Sequence, residues 1–294
     1  MSKKFYIFGH NIQYTLSPTI HNAGFAAFNL PHTYLVNDVP TLDKTDTASL
    51  LASASFGGAS VTVPHKLAII PFLDSVSAAA TTIGAVNTVL VDEDETGTRT
   101  LRGENTDYVG IRDSVLESLS DPSSHIASAL VIGAGGSARA AIYALYSLGV
   151  DVVYIYNRTN SKAQEISDVF ASLVKVIVVD SLDPQSWPQQ EYLPVRVIVG
   201  NVPGDAMTED AFPSSLFSID GCDEGVLVEM AYKPDVTPLM KVAEKVGGWK
   251  VVRGTDVLLG QGYEQFRLWT RIDAPKKIMS EALKKEVERR STAL

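Results

Sequence analysis

The sequence of 294 residues predicts an α/β fold in two domains, the second built on a doubly wound parallel sheet. Three observations predict it. Short β-type runs alternate with helical stretches along most of the chain. One continuous apolar run leads straight into a glycine-rich turn and a helix. The length suits two domains at about 100–200 residues each.

The elements follow in order. Phe5–Phe8 reads as a strand. Ser17-Pro18 opens a helix, Ser being a favoured N-cap and Pro a favoured first helical residue, and Leu30-Pro31 stops it. His32–Val36 reads as a strand, Asp43–Ser55 as a helix, and Ala59–Val63 as a strand ending at Pro64. Ala85–Val91 and Thr98–Arg102 flank the turn-rich Asp92–Gly97 and read as a hairpin. Ala129–Ile132 is an unbroken apolar run, the mark of a strand buried on both faces. Strands at Val152–Tyr156, Lys175–Val179, Val195–Val199 and Val226–Met230 alternate with helices at Ser137–Leu148 and Lys162–Leu173. Beyond them the chain reads as helical at Thr237–Val246, Asp256–Thr270 and Pro275–Leu294. The expected partition is a first domain over 1–107, completed by 254–294, and a second over 108–253.

Composition narrows the function. Residues of apolar type make up 45% of the chain, too many for a disordered one, and no run is long and apolar enough for a membrane-spanning helix. The opening residues turn at once into a strand, which argues against a secretory leader. With 25 basic and 34 acidic residues the net charge is −9, which disfavours nucleic acid and anionic membranes as partners. A single cysteine, Cys222, fits a reducing, cytoplasmic location and allows no internal disulfide. The five histidines show no metal-ligand spacing, so no metal is expected, and no G-x-S-x-G elbow is present.

Gly133-Ala134-Gly135-Gly136-Ser137-Ala138 fits the dinucleotide fingerprint G-x-G-x-x-A, set between a buried strand and a helix. The first glycine permits the tight turn, the second lets backbone approach a pyrophosphate, and Ala138 lets helix pack on strand. After the following strand, where NAD-binding folds carry a carboxylate for the ribose hydroxyl, the chain has Asn157-Arg158-Thr159 and then Lys162. An arginine there can pair with a 2′-phosphate, so NADP is the expected cofactor.

Four further segments place polar groups at turns or strand ends. Thr15-Leu-Ser17-Pro18 sets two hydroxyls before a helix start, a natural cradle for a carboxylate. Ser60-Val-Thr62-Val-Pro64-His-Lys66 alternates polar side chains on one strand face before a lysine. Gly84-Ala-Val-Asn87-Thr88 and Gly103-Glu-Asn105-Thr-Asp107 add amides and a carboxylate.

Together with Tyr232-Lys-Pro-Asp-Val-Thr-Pro238 and Gly260-Gln261, these motifs resemble the shikimate/quinate dehydrogenase family in order and over essentially the whole chain. Phe56–Pro64 and Gln261–Trp269 are similar to the dehydrogenase domain of the fungal arom polypeptide, here expected as a free-standing relative. The resemblance implies an N-terminal substrate domain and a Rossmann-type NADP domain with a cleft between them. It implies Lys66 and Asp107 as the catalytic pair, Thr15 and Ser17 on the substrate carboxylate, and Thr62, Asn87, Asp107 and Gln261 on ring hydroxyls. Tyr232 would line the cleft, with Met230 and Gly254 near the nicotinamide. The implied partner is a small ring hydroxy-acid, with the chain acting as a monomer or homodimer. Burial would push the lysine toward its neutral form and Asp107 would oppose that.

Two positions depart from the family pattern: Thr15 stands where relatives have Ser, and Ser60 where many have Asn. Both bear on the choice between shikimate and quinate. The alternatives are a quinate or dual dehydrogenase using NAD, and a non-catalytic sensor of ring acids on the same fold. A methylenetetrahydrofolate dehydrogenase would leave Thr15–Asn22 and Asn105–Asp107 unexplained.

Overall fold

The computed structural model describes residues 2–189, 192–218 and 224–292; Cys222 lies outside them. Two compact units divide the chain, one formed by 1–106 with 258–294 and the other by 107–257. Among the described residues no helix is long and apolar enough to cross a membrane.

The first unit holds a mixed sheet. Strand β1 (Lys4–Gly9) lies parallel to β2 (Thr33–Asp38) on one side and to β3 (Phe56–Val61) on the other. Between them run α1 (Ser17–Ala27) and α2 (Lys44–Ala52), the latter capped by Asp43, whose carboxylate accepts from the Thr45 and Asp46 N–H groups at 2.8 and 3.0 Å. The hairpin forms as β5 (Thr88–Glu93) and β6 (Arg99–Glu104), antiparallel with Thr88 opposite Glu104. Two elements were not legible: the two-residue strand β4 (Ser75–Val76), and α3 (Ala78–Ile83), a six-residue helix too short to show a period. The sheet order is β2-β1-β3-β5-β6-β4.

Strand β3 starts three residues earlier than the sequence suggests, running through Gly57-Gly58, which break the β-type pattern. The reason is close packing: a Cβ on Gly58 would stand 2.5 Å from the Trp269 indole nitrogen. Trp269 belongs to α8 (Gly254–Thr270) and donates to the Val89 carbonyl at 3.1 Å. Its ring and that of Phe266 pack on Phe5 and Phe25, and α9 (Lys276–Ser291) lies along α1.

The second unit is a wholly parallel sheet. It contains β7 (Ser128–Ile132), β8 (Val152–Tyr156), β9 (Lys175–Val179), β10 (Val197–Gly200), β11 (Gly225–Glu229) and β12 (Trp249–Val252), in the order β12-β11-β10-β7-β8-β9. Alternate strand residues face opposite layers. Ala129, Val131, Val153 and Val197 pack with α4 (Asp107–Ser118), α5 (Gly136–Ser147) and α6 (Asn160–Phe170), whereas Leu130, Ile132, Tyr154 and Ile198 pack with α7 (Pro238–Val246), Trp187 and Phe217. Helix α4 and strand β12 are additions to the sequence reading. Gly110 interrupts the apolar spacing of the first, and β12 is a four-residue edge strand between Gly248 and Arg253. The strand order reverses between β7 and β10, and ligands of such sheets bind at the carboxyl ends of the strands there.

Candidate active site

In the first unit, Thr15 and Ser17 are buried at the start of α1. The Thr15 hydroxyl donates to Ser17 Oγ at 3.3 Å, and the Ser17 N–H reaches Thr15 Oγ1 at 3.4 Å. Arg290 of α9 pins the preceding turn, donating to the carbonyls of Tyr14 and Thr15 at 2.5 and 3.4 Å. The residues present are hydroxyls beside a helix N-terminus, which suits a carboxylate.

Thr62 follows β3, its N–H bonded to the Phe8 carbonyl at 2.8 Å, and its own carbonyl accepts from His65 N–H at 2.8 Å. The buried His65 ring donates from Nε2 to the Val39 carbonyl at 2.8 Å, which fixes the turn carrying Lys66. Lys66 is only 7% exposed, and its carbonyl accepts from Val86 N–H at 2.8 Å. One residue on, the Asn87 amide is held on three sides. Its Oδ1 accepts from Thr106 N–H at 2.6 Å and the Thr88 hydroxyl at 2.7 Å, and its Nδ2 donates to Thr106 Oγ1 at 3.0 Å and Gln261 Oε1 at 3.4 Å. Asn87 and Gln261, distant in sequence, thus meet. Asn105 serves the backbone instead, donating to the Ala85 carbonyl at 2.9 Å.

Three residues behind this set were missed: Tyr34, His21 and Gln265. Gln265 Oε1 accepts from Ser60 at 2.9 Å and from His21 Nε2 at 3.2 Å, while its amide donates to Thr88 Oγ1 at 2.9 Å. A signal existed, because Gln261, Gln265 and Trp269 recur every four residues on one face of α8.

His21 is fully buried, its Nδ1 has no partner, and desolvation draws its pKa from 6.5 down to about 3 against the hydrogen bond to Gln265. The folded chain therefore keeps the ring neutral at pH values where the unfolded chain takes up a proton. The resulting stability is complete above about pH 6.5 and lost on acidification toward the folded pKa, by up to about 1.4 kcal/mol per pH unit. Urea unfolding between about pH 7 and pH 4.5 should show this slope, and His21→Gln should flatten it. An unchanged slope would assign the acid sensitivity to other groups.

In the second unit, Asp107 is the first residue of α4, where a carboxylate suits the helix dipole, and is 8% exposed. At the end of β7, Gly133 takes φ +109°, a conformation L side chains rarely adopt, and a Cβ on it would meet the Asn201 carbonyl at 2.9 Å. Gly135 differs: a Cβ there would meet no atom within 4 Å. Packing does not require that glycine, so its bareness leaves room in front of the α5 N-terminus, where the helix dipole favours an anion. Ala138 is buried under the sheet. The arrangement fits a dinucleotide pyrophosphate.

Past β8, the Asn157 amide donates to the Thr159 carbonyl at 2.8 Å and closes a turn that leaves Arg158 and, further on, Lys162 exposed. On the other side of the switch point Met230 follows β11, and a Cβ on Gly254 would stand 2.7 Å from the Met230 and Ala231 carbonyls. Glu229, 1% exposed, was also missed. Its carboxylate accepts from Ala231 N–H at 2.9 Å and the Thr237 hydroxyl at 2.8 Å, bracing the loop that carries Tyr232, and burial pushes its pKa up.

Three family models match the chain. They are described as the shikimate dehydrogenase substrate binding domain over residues 7–89, shikimate / quinate 5-dehydrogenase over 116–185, and the shikimate 5′-dehydrogenase C-terminal domain over 254–284. The pentafunctional AROM polypeptide of Malassezia globosa is 42% identical over 280 residues, which are 93% of this chain and 17% of that protein. The quinate dehydrogenase of Corynebacterium glutamicum, solved in complex with NAD, is 27% identical with a TM-score of 0.81, covering 97% of this chain and 99% of that one. The shikimate dehydrogenase of Aquifex aeolicus is 30% identical with a TM-score of 0.78, covering 96% of this chain and 97% of that one. With that near-complete match and the three family models in register, the chain belongs to the shikimate/quinate dehydrogenase family.

Proposed function

We propose that the chain is an NADP-dependent oxidoreductase that interconverts 3-dehydroshikimate and shikimate. The observation that carries the reading is the joining of Asn87 and Gln261 through Thr106, on the strand and helix beside the Lys66 turn. These amides bind ring hydroxyls together with Thr62, while Thr15 and Ser17 hold the carboxylate. Bound NADP would supply the hydride acceptor for the carbinol carbon, and its reduced form the hydride donor in the reverse direction. Lys66 Nζ takes the proton of the reacting hydroxyl in the oxidising direction and gives it back in the other, and Asp107 orients that hydroxyl. Gly133–Ala138 hold the pyrophosphate, Asn157, Arg158, Thr159 and Lys162 the adenosine phosphate, and Met230, Gly254 and Tyr232 flank the reacting groups.

The preference for NADP is supported by Arg158 and by Asn157, which stands where a ribose-binding carboxylate would repel a 2′-phosphate. Arg158→Ala should raise KM for NADP by about 10–100-fold, the worth of one charge-assisted hydrogen bond, and leave KM for NAD within about threefold. Equal shifts for both cofactors would overturn the assignment. A second reading, quinate oxidation with NAD, is favoured by the close fold of the C. glutamicum enzyme. Initial rates with shikimate and quinate, each with NADP and with NAD, decide between the two. No turnover in any combination would leave a ring-acid sensor.

A further inference from the structure

Behind the proposed carboxylate cradle lies a buried chain of hydroxyls and amides, Tyr34, Ser60, Gln265 and Thr88, that the chemistry above does not use. Ser60 donates its single proton to Gln265 Oε1 at 2.9 Å, so at its contact with Tyr34, 2.5 Å long, the phenol is the donor. Tyr34 thereby spends its own proton, and its backbone is tied to Asn22 of α1, the helix that begins at Ser17. Ser17 in turn accepts from Thr15. From the far end, the Gln265 amide donates to Thr88, whose hydroxyl donates to Asn87 Oδ1. The chain therefore runs in one direction from Tyr34 through Ser60, Gln265 and Thr88 to Asn87, and Asn22 joins Tyr34 to the helix that begins at Ser17.

We infer that Tyr34 is a positioning residue for the substrate: it couples α1, the helix that begins at the carboxylate-binding Ser17, to the ring-binding Asn87 and sets the span between them. This rests on the ring-acid reading above. The placement of the ring supports it. Tyr34 is fully buried, stacks on neutral His21 with centroids 4.6 Å apart and planes 16° apart, and is tied through its backbone to Asn22 of α1 at 2.8 and 3.1 Å. It cannot swing away, so its hydrogen bond to Ser60 is geometrically fixed. Burial also raises its pKa, so the phenol stays protonated. Ser60, the departure from the family pattern, gives its proton inward to Gln265 and accepts from Tyr34. It acts here as a link to Tyr34 and leaves ring recognition to Asn87 and Gln261. The coupling is to a bifunctional substrate: a ring acid must satisfy both ends at once, and loosening one end costs affinity for the whole molecule.

Tyr34→Phe removes one oxygen and keeps the stacked ring. It should raise KM for the ring acid about tenfold, which is about 1.4 kcal/mol, with kcat within about threefold and KM for the cofactor unchanged. Ser60→Ala, which cuts the same chain one link further on, should give the same pattern. In a Ser17→Ala background the Tyr34→Phe change should add less than about twofold, because the coupling it transmits is already lost. A purely structural role would instead lower the melting temperature and leave KM where it was, in either background, and that result would overturn the inference while leaving the dehydrogenase reading intact. If the parent chain neither turns over nor binds shikimate or quinate by calorimetry, the ring-acid reading itself falls and the inference falls with it.

Discussion

Lys66→Met should lower kcat by about 10³-fold while the affinities for ring acid and dinucleotide stay within a few-fold of the parent. Positioned proton transfer contributes about 10²–10⁴ to a rate, and Lys66 is the side chain proposed to carry that proton. Methionine preserves the unbranched stem, so the 7%-exposed position keeps its packing. The carbonyl of residue 66 remains on Val86 N–H, and the turn stays anchored by His65 on Val39. The loss should therefore fall on kcat. Single-turnover measurement separates the chemical step from binding, and a kcat within tenfold of the parent would remove Lys66 from the mechanism.

The second large effect is expected at Gly135. Gly135→Val should weaken NADP binding by more than about 100-fold, read by fluorescence titration, with a melting temperature within about 2 °C of the parent. The two halves of this expectation come from one fact: a Cβ at 135 meets no protein atom within 4 Å, so a side chain there occupies only the space in front of the α5 N-terminus. Its backbone, with φ −97° and ψ −173°, is one that valine adopts readily. Gly133→Val is the contrast. With φ +109° and the Asn201 carbonyl 2.9 Å from the Cβ position, it should lose stability as well as binding. Unchanged NADP affinity in Gly135→Val would place the pyrophosphate elsewhere.

How much of this was readable in the sequence follows from the range of the interactions. The β7–turn–α5 unit announces itself locally: five consecutive buried strand residues, then small residues at the positions where backbone must turn and approach a ligand. The motif residues Thr15, Ser17, Lys66, Asn87 and Gln261 were legible as a family resemblance. What was not legible is their mutual support. Ser60 and Gln265 are 205 residues apart, and nothing in the local pattern of either signals that one hydroxyl proton passes between them. Glu229 reads in sequence as the polar end of an apolar run, and only the fold shows it braced by Ala231 and Thr237. The missed elements fail for a different reason. β12, α3 and β4 are too short for a period, and α4 carries Gly110 at the end of its first turn.

The composite first unit has a consequence for synthesis. Translation delivers 107–257 as one uninterrupted stretch, before any of 258–294 has been made. At about 5–20 residues per second, the ribosome holds back Gln261, Gln265, Trp269 and Arg290 for about 10–40 seconds or more after the first strands have emerged. During that interval Asn87 lacks its helix-borne partner, Gly58 lies bare of the indole that covers it, and the turn before Ser17 lacks its clasp. The nascent chain thus has its nucleotide half whole first, and its substrate half waits on residues 258–294.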